Sequence, residues 1–151
     1  MNRVTVQEED FSLEEQVNLI RQSRTDIGAI ASFTGMVRDL NDGDTVSELE
    51  LEHYPGMTEN QLKEIAETAE SRWPLQAITI MHRVGRLLPG DQIVLVITAS
   101  KHRAAAYEAN QFIMDYLKTR ATFWKKETQP GQSSWVKSRD SDVAAARRWE
   151  K

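Results

Sequence analysis

The sequence predicts a single α+β domain spanning residues 1–151, with a mixed or antiparallel sheet and two main helices. Residues 46–53 and 78–84 alternate apolar and polar positions with the period of a strand. Residues 58–73 and 101–119 place apolar side chains at helical spacing instead. Strands and helices intersperse with no repeat, low-complexity tract or linker between them, and 151 residues suffice for one core without disulfide or metal staples.

Arg3–Val6 reads as a first strand. Ser12-Leu13-Glu14-Glu15 is a capping box opening a helix, with Leu13, Val17 and Ile20 on one face. Ile27–Val37 is apolar enough for a buried strand, and Gly35 near its end predicts a bulge or a close backbone approach. Asn41-Asp42-Gly43-Asp44 is turn chemistry. Val46–His53 then sets Leu49, Leu51 and His53 on one face and Glu48, Glu50 and Glu52 on the other. With the preceding strand it predicts a hairpin-like pair with one wet face.

Tyr54-Pro55-Gly56 breaks the strand, and Thr58-x-x-Gln61 is a second capping box. Leu62, Ile65, Ala66, Ala69 and Trp73 follow on one helix face, which Trp73-Pro74 ends. Ile78, Ile80, His82 and Val84 alternate as a strand, Pro89-Gly90-Asp91 turns, and Ile93–Ala99 is a buried strand. Residues 101–119 form the longest helix, with Ser100 as its N-cap and Ala106, Ala109, Ile113 and Leu117 on its apolar face. Thr122–Thr128 and Ser134–Ser138 read as short strands around Pro130-Gly131, and Ser141–Trp149 as a terminal helix.

Composition narrows the chemistry. There is no cysteine, which excludes thiol nucleophiles, persulfides, disulfides and iron–sulfur clusters on this chain. Met1–Phe11 is acidic without an apolar run, and Ile93–Ala99 is far shorter than a bilayer span, so a cytoplasmic protein is expected. The net charge of −4 conceals an asymmetry: residues 1–70 sum to −11 and residues 71–151 to +7. A few converging cations in the basic half suit a small anionic ligand better than nucleic acid, which usually meets a basic domain.

The cations cluster at two places. With Ser100 as N-cap, Lys101, His102 and Arg103 occupy a first helical turn, where the macrodipole opposes them. They predict an anion site that uses free N–H groups, a guanidinium and an imidazole. The alternative is three solvated cations tolerated at a cost of a few tenths of a kcal/mol each. Lys118 lies at the opposite end, where the dipole alone accounts for it. Lys125 and Lys126 are consecutive on a strand, so at most one points inward. A buried lysine near other cations would have a lowered pKa suited to acid–base work. Arg38, beside Asp39, is either a surface ion pair or a further anion ligand.

His102 and Lys118 are separated by roughly 24 Å along a straight helix, too far to share one small substrate within one chain. Two copies of the helix running antiparallel across a two-fold axis would bring them together, which predicts a homodimer with composite sites. His53, His82 and His102 have no metal-ligand spacing, and strand histidines of this kind are ordinarily structural. The seven glycines form neither a dinucleotide fingerprint nor a P-loop, and no G-x-S-x-G occurs.

Six segments, in order, carry a more specific signal. They are Phe33–Arg38 (FTGMVR), Leu51–Met57 (LEHYPGM), His82–Gly85 with Pro89–Asp91, Ser100–Arg103 (SKHR), Phe112–Lys118 (FIMDYLK) and Phe123–Glu127 (FWKKE). Together the chain resembles the catalytic large subunit of molybdopterin synthase, the MoaE family, over roughly residues 27–149. The resemblance implies an α/β-hammerhead fold and a homodimer of large subunits. Each would hold a small ubiquitin-like sulfur carrier, giving a heterotetramer. It implies a sulfurtransferase that makes the molybdopterin dithiolene from cyclic pyranopterin monophosphate, with sulfur delivered as a thiocarboxylate on the carrier's C-terminal Gly-Gly tail. Lys118 and Lys125 take the catalytic positions. Met36, Val37, Arg38, His102, Arg103, Lys118, Lys125, Lys126, Glu127 and Arg139 take the substrate-binding ones. Met36 departs from the polar or basic residue common in relatives, so only a backbone role is implied there. No metal, redox centre or other cofactor is implied for the transfer itself, and neither membrane nor nucleic acid is a partner.

Two other readings use the same residues. A noncatalytic module would bind a phosphorylated metabolite or a partner's tail without an acid–base lysine. A single-stranded nucleic-acid binder would use Phe123 and Trp124 as stacking platforms beside Lys125 and Lys126.

Overall fold

A computed structural model describes residues 1–22, 24–41, 44–45, 48–129, 132–136 and 140–150, with 40–41, 44–45, 126–129, 132–136 and 140 as backbone. In chain order the elements are β1 (Asn2–Gln7), α1 (Leu13–Arg21), β2 (Ala29–Met36), β3 (Leu40–Asn41), β4 (Asp44–Thr45), β5 (Glu48–His53) and α2 (Met57–Arg72). There follow β6 (Leu75–Arg83), β7 (Gly85–Leu87), β8 (Gln92–Ser100), α3 (Arg103–Arg120), β9 (Phe123–Gln129), β10 (Gln132–Val136) and α4 (Asp140–Arg147). The first sheet is mixed, in the order β1-β6-β8-β2, with only β1 and β6 parallel. The second is antiparallel, in the order β10-β9-β5-β7. The α+β class and the mixed sheet are as the sequence predicts. No described helix is long and apolar enough to cross a membrane.

The first sheet is covered on both faces. Ile78, Ile80, Val94 and Val96 pack under α2 and α3, against Leu62, Ile65, Phe112 and Ile113. Ala77, Met81, Leu95, Ile97 and Ala99 face the other way, where Ile20 of α1 joins them with Leu13 and Val17 alongside. This explains why residues 78–82 of β6 are buried without interruption although their sequence alternates. Sheets sandwiched between helices bury both parities of a central strand. A third cluster, of Val37, Leu49, Leu51, Val84 and Leu87, lines the inner face of the second sheet.

Several local expectations change. The Ile27–Val37 strand is an edge strand rather than a buried one, with Phe33 and Met36 exposed. It does not pair with residues 48–53: β2 pairs with β8, while β5 lies in the other sheet between β9 and β7. The register does shift at Gly35, as its glycine predicts, and a Cβ there would lie 2.7 Å from Val94 Cγ1. The short β3 and β4 pair antiparallel; Asp42, Gly43, Val46 and Ser47 lie outside the described residues, as do Pro130, Gly131, Lys137 and Ser138.

Two caps move as well. Ser12 caps α1 as expected, accepting from the Glu15 N–H at 3.2 Å. The N-cap of α2, however, is Gly56, whose N–H donates to Glu59 Oε1 at 2.9 Å. Thr58 and Gln61 turn elsewhere, as the site makes clear. Ser100 is the last residue of β8, its hydroxyl donating to the Pro74 carbonyl at 2.8 Å, and the N-cap of α3 is His102. The turn between β8 and α3 presses on Gly28, where a Cβ would sit 2.0 Å from the Lys101 carbonyl oxygen, so only glycine fits.

Candidate active site

The junction between α3 and β9 organises the site. Lys118 lies in the last turn of α3, and only Ala121 and Thr122 separate that helix from β9. Thr122 is gripped twice by α2: its carbonyl accepts from Thr58 Oγ1 at 2.9 Å, and its N–H donates to Gln61 Oε1 at 2.7 Å. Thr58 Oγ1 also accepts from the Tyr54 N–H at 3.0 Å, tying the end of β5 to the same point. The residues read as a capping box therefore anchor the lysine-bearing junction.

Strand parity then selects the inward lysine. Across β5, Phe123 pairs with His53 and Lys125 with Leu51, which is 1% exposed. Lys125 thus shares the core-facing parity of Phe123, whereas Lys126 pairs with Glu50. Trp124, of the opposite parity to Lys125, is exposed. Glu127 pairs with Leu49 on the Lys125 parity.

Beneath this face lies His82, from the end of β6 in the other sheet. Its ring stacks on Phe123 with centroids 3.8 Å apart and planes 18° from parallel. Its Nδ1 is 2.8 Å from the Arg83 carbonyl oxygen. Burial pushes the His82 pKa from 6.5 down to about 3, and the charges of Lys118, Lys125 and His53 act in the same direction. Both lysines therefore stand within electrostatic reach of one buried, neutral imidazole. His53 completes the group, its Nε2 3.8 Å from Glu59 Oε2. From the sequence His53 and His82 are expected to be structural. Their inward parity was legible; that two separate sheets bring them to the two lysines was not.

The remaining predicted residues fall at two further places. Val37 is buried in the cluster that Phe123 borders, and its backbone is latched to the 89–91 turn by bonds of 2.8 Å to Asp91 O and from Gly90 N. Arg38 follows, exposed and in no ion pair with Asp39 or another described residue, and Met36 precedes it, 53% exposed. His102 and Arg103 lie exposed at the opposite end of α3 from Lys118. That N-terminus has neither a side-chain cap nor an acid in its first turn, so no side chain caps its first N–H groups and no carboxylate offsets its cations there. Arg139 lies outside the described residues. One chain thus brings Lys118 and Lys125 to the His82–Phe123 stack, which borders the cluster holding Val37, and keeps His102 and Arg103 at the other end of α3.

Arg120 is structural. Its guanidinium sits 3.8 Å over the Tyr116 ring and 3.7 Å from Glu150. Nearby, buried Asp115 accepts from Gln111 at 2.9 Å, Arg148 at 3.0 Å and Trp149 Nε1 at 2.6 Å. The C-terminal segment is thereby fastened one turn before Lys118. Among the described residues no group of three or more acids or histidines could hold a metal ion.

The family model for the MoaE protein matches residues 6–120. The chain belongs to the MoaE family. It is 56% identical over 149 residues to the molybdopterin synthase catalytic subunit of Vibrio cholerae serotype O1, covering 99% of both chains. It is 52% identical over 147 residues to that of Escherichia coli K12, covering 97% of both. Its fold superposes on the molybdopterin biosynthesis MoaE protein from Burkholderia ambifaria MC40-6 with a TM-score of 0.85, at 51% identity over 99% of this chain and 98% of that one. These likenesses extend well past residue 120, so α4 and the second sheet of this MoaE chain belong to the shared architecture.

Proposed function

We propose that this chain is a molybdopterin synthase catalytic subunit, a sulfurtransferase acting on cyclic pyranopterin monophosphate. Two sulfurs, supplied as thiocarboxylates on the Gly-Gly tails of small ubiquitin-like carrier subunits, enter the product as a dithiolene. The observation that carries the reading is the convergence of Lys118 and Lys125, from α3 and β9, on the buried His82 ring stacked against Phe123. The near-full-length likeness to named catalytic subunits supports it.

The chemistry needs these cations. Substrate phosphate and donor thiocarboxylate are both anions, and each sulfur transfer passes through a further oxyanion. Fixed positive charge lowers their mutual repulsion and stabilises that oxyanion. Lys118 is assigned to the thiocarboxylate carbonyl, and Lys125 to proton transfer as the cyclic phosphate opens. Arg38, His102 and Arg103 are assigned to the pterin phosphate end, with Met36 and Val37 contributing backbone. Lys126, Glu127 and Arg139 complete the proposed binding set. Because α3 separates His102 from Lys118 by roughly 24 Å, a complete site needs a second copy of the chain. The reading is therefore of a homodimer carrying two sulfur carriers, working in the cytoplasm, with no cofactor of its own.

Lysine substitutions separate this enzyme from a binding module built on the same cations. Lys125→Ala and Lys118→Ala are each expected to lower turnover by about 10²-fold or more while affinity for the carrier holds. Full turnover in both variants, or loss of carrier affinity alone, would contradict it. The nucleic-acid reading loses one stacking platform, since the Phe123 ring is already occupied by His82.

A further inference from the structure

Nothing in the proposed chemistry yet uses His82. We propose that His82 is a positioning residue: its Nε2 lone pair orients an ammonium of the Lys118–Lys125 pair without neutralising it. This deepens the proposed function and rests on it for its kinetic consequences.

The geometry defines the ring's chemistry. A carbonyl oxygen only accepts, so the 2.8 Å contact with Arg83 O requires the proton on Nδ1. In the neutral ring Nε2 then carries the lone pair. The ring is 6% exposed and held flat on Phe123, so that lone pair has one fixed direction. The charged or titratable groups acting on it are Lys118 of α3, Lys125 of β9 and His53 of β5, the last beside Glu59 of α2. All three acting groups oppose a charge on the ring, so it stays neutral wherever the lysines are charged.

Residue type gives the reason for a histidine here. A phenylalanine would stack on Phe123 equally well but offers no acceptor. An aspartate or glutamate would orient a lysine, yet it would pair with that lysine and repel both the phosphate and the thiocarboxylate. A neutral imidazole orients the cation and leaves its charge available to the incoming anions.

Two variants divide stacking from accepting. His82→Phe keeps the stack and removes the lone pair; His82→Gln restores an acceptor near the Nε2 position. With wild type turning over in the same assay, His82→Phe is expected to lower kcat by about 10- to 10²-fold with KM and carrier affinity little changed. His82→Gln is expected to recover most of that loss. A wild-type kcat in His82→Phe overturns the proposal, as does a His82→Gln no faster than His82→Phe. Imidazole ¹⁵N spectra test the geometry without turnover and with His82 itself unchanged. The expected signature is an Nδ1–H tautomer whose Nε2 resonance moves on Lys118→Ala or Lys125→Ala. An Nε2–H tautomer, an imidazolium at neutral pH, or an Nε2 signal indifferent to both substitutions overturns it. An inactive wild-type enzyme would count against the proposed function instead, and leave His82 to be judged by the spectra.

Discussion

His82 links stability to pH in a window of its own. Its folded pKa is about 3 against 6.5 for the solvated imidazole of the unfolded chain, burial being the main cause. Above pH 6.5 both states are neutral and nothing is lost. Below it the unfolded chain takes a proton that the folded one refuses, so stability falls by up to about 1.4 kcal/mol per pH unit until the folded ring protonates too. Asp10 and Asp26 are also shifted down, below 3.8, by hydrogen bonds from Gln92 and Arg24 respectively, but for a carboxyl a lowered pKa means that the charged form is stabilised. Their stabilisation is intact above 3.8 and is lost only in stronger acid. Urea titrations of wild type should therefore show stability declining between pH 6.5 and 4, and His82→Phe should flatten that decline. An unchanged slope in the variant would contradict the assignment. Asp115 is the other buried group of consequence. Asp115→Ala strands its three donors and is expected to cost about 2–3 kcal/mol, read as a lower Tm with early loss of amide protection in α4.

At the scale of elements, periodicity was legible and partnership was not. Helix faces such as Leu62-Ile65-Ala66-Ala69, and the inward parity of Leu49, Leu51 and His53, follow from spacing alone and hold in the fold. The misplaced caps share one cause. Ser100 and Thr58 have the hydroxyls a cap needs, but the folded chain offers them carbonyls at Pro74 and Thr122, 26 and 64 residues away. A local pattern cannot register so distant an acceptor. For the same reason β2 looked like the partner of its sequence neighbour β5, whereas β8, more than 50 residues on, supplies a longer apolar match. The grip of α2 on Thr122 is testable. Thr58→Val and Gln61→Leu should each cost about 1–3 kcal/mol, with a coupling energy between them in a double-mutant cycle. Small, additive effects would mean that the junction is held by packing alone.

For the whole molecule, the sequence exposed a charge asymmetry and a helix too long for one active site. The two-fold solution makes a specific prediction. Lys118→Ala and His102→Ala chains, each inactive alone, should regain turnover when mixed and allowed to exchange subunits, because hybrid dimers contain one intact composite site. Sedimentation should show a dimer under the same conditions. An active monomer, or exchanged hybrids without activity, would contradict the composite site. The two cation groups would then act on separate ligands.

The most direct test of the proposed function is reconstitution. The protein is mixed with a competent cognate carrier bearing the C-terminal thiocarboxylate and with cyclic pyranopterin monophosphate, and the dithiolene product is measured. The expected result is one molybdopterin per two thiocarboxylates consumed, with loss of product in Lys125→Ala. Absence of dithiolene while the carrier binds normally would contradict it.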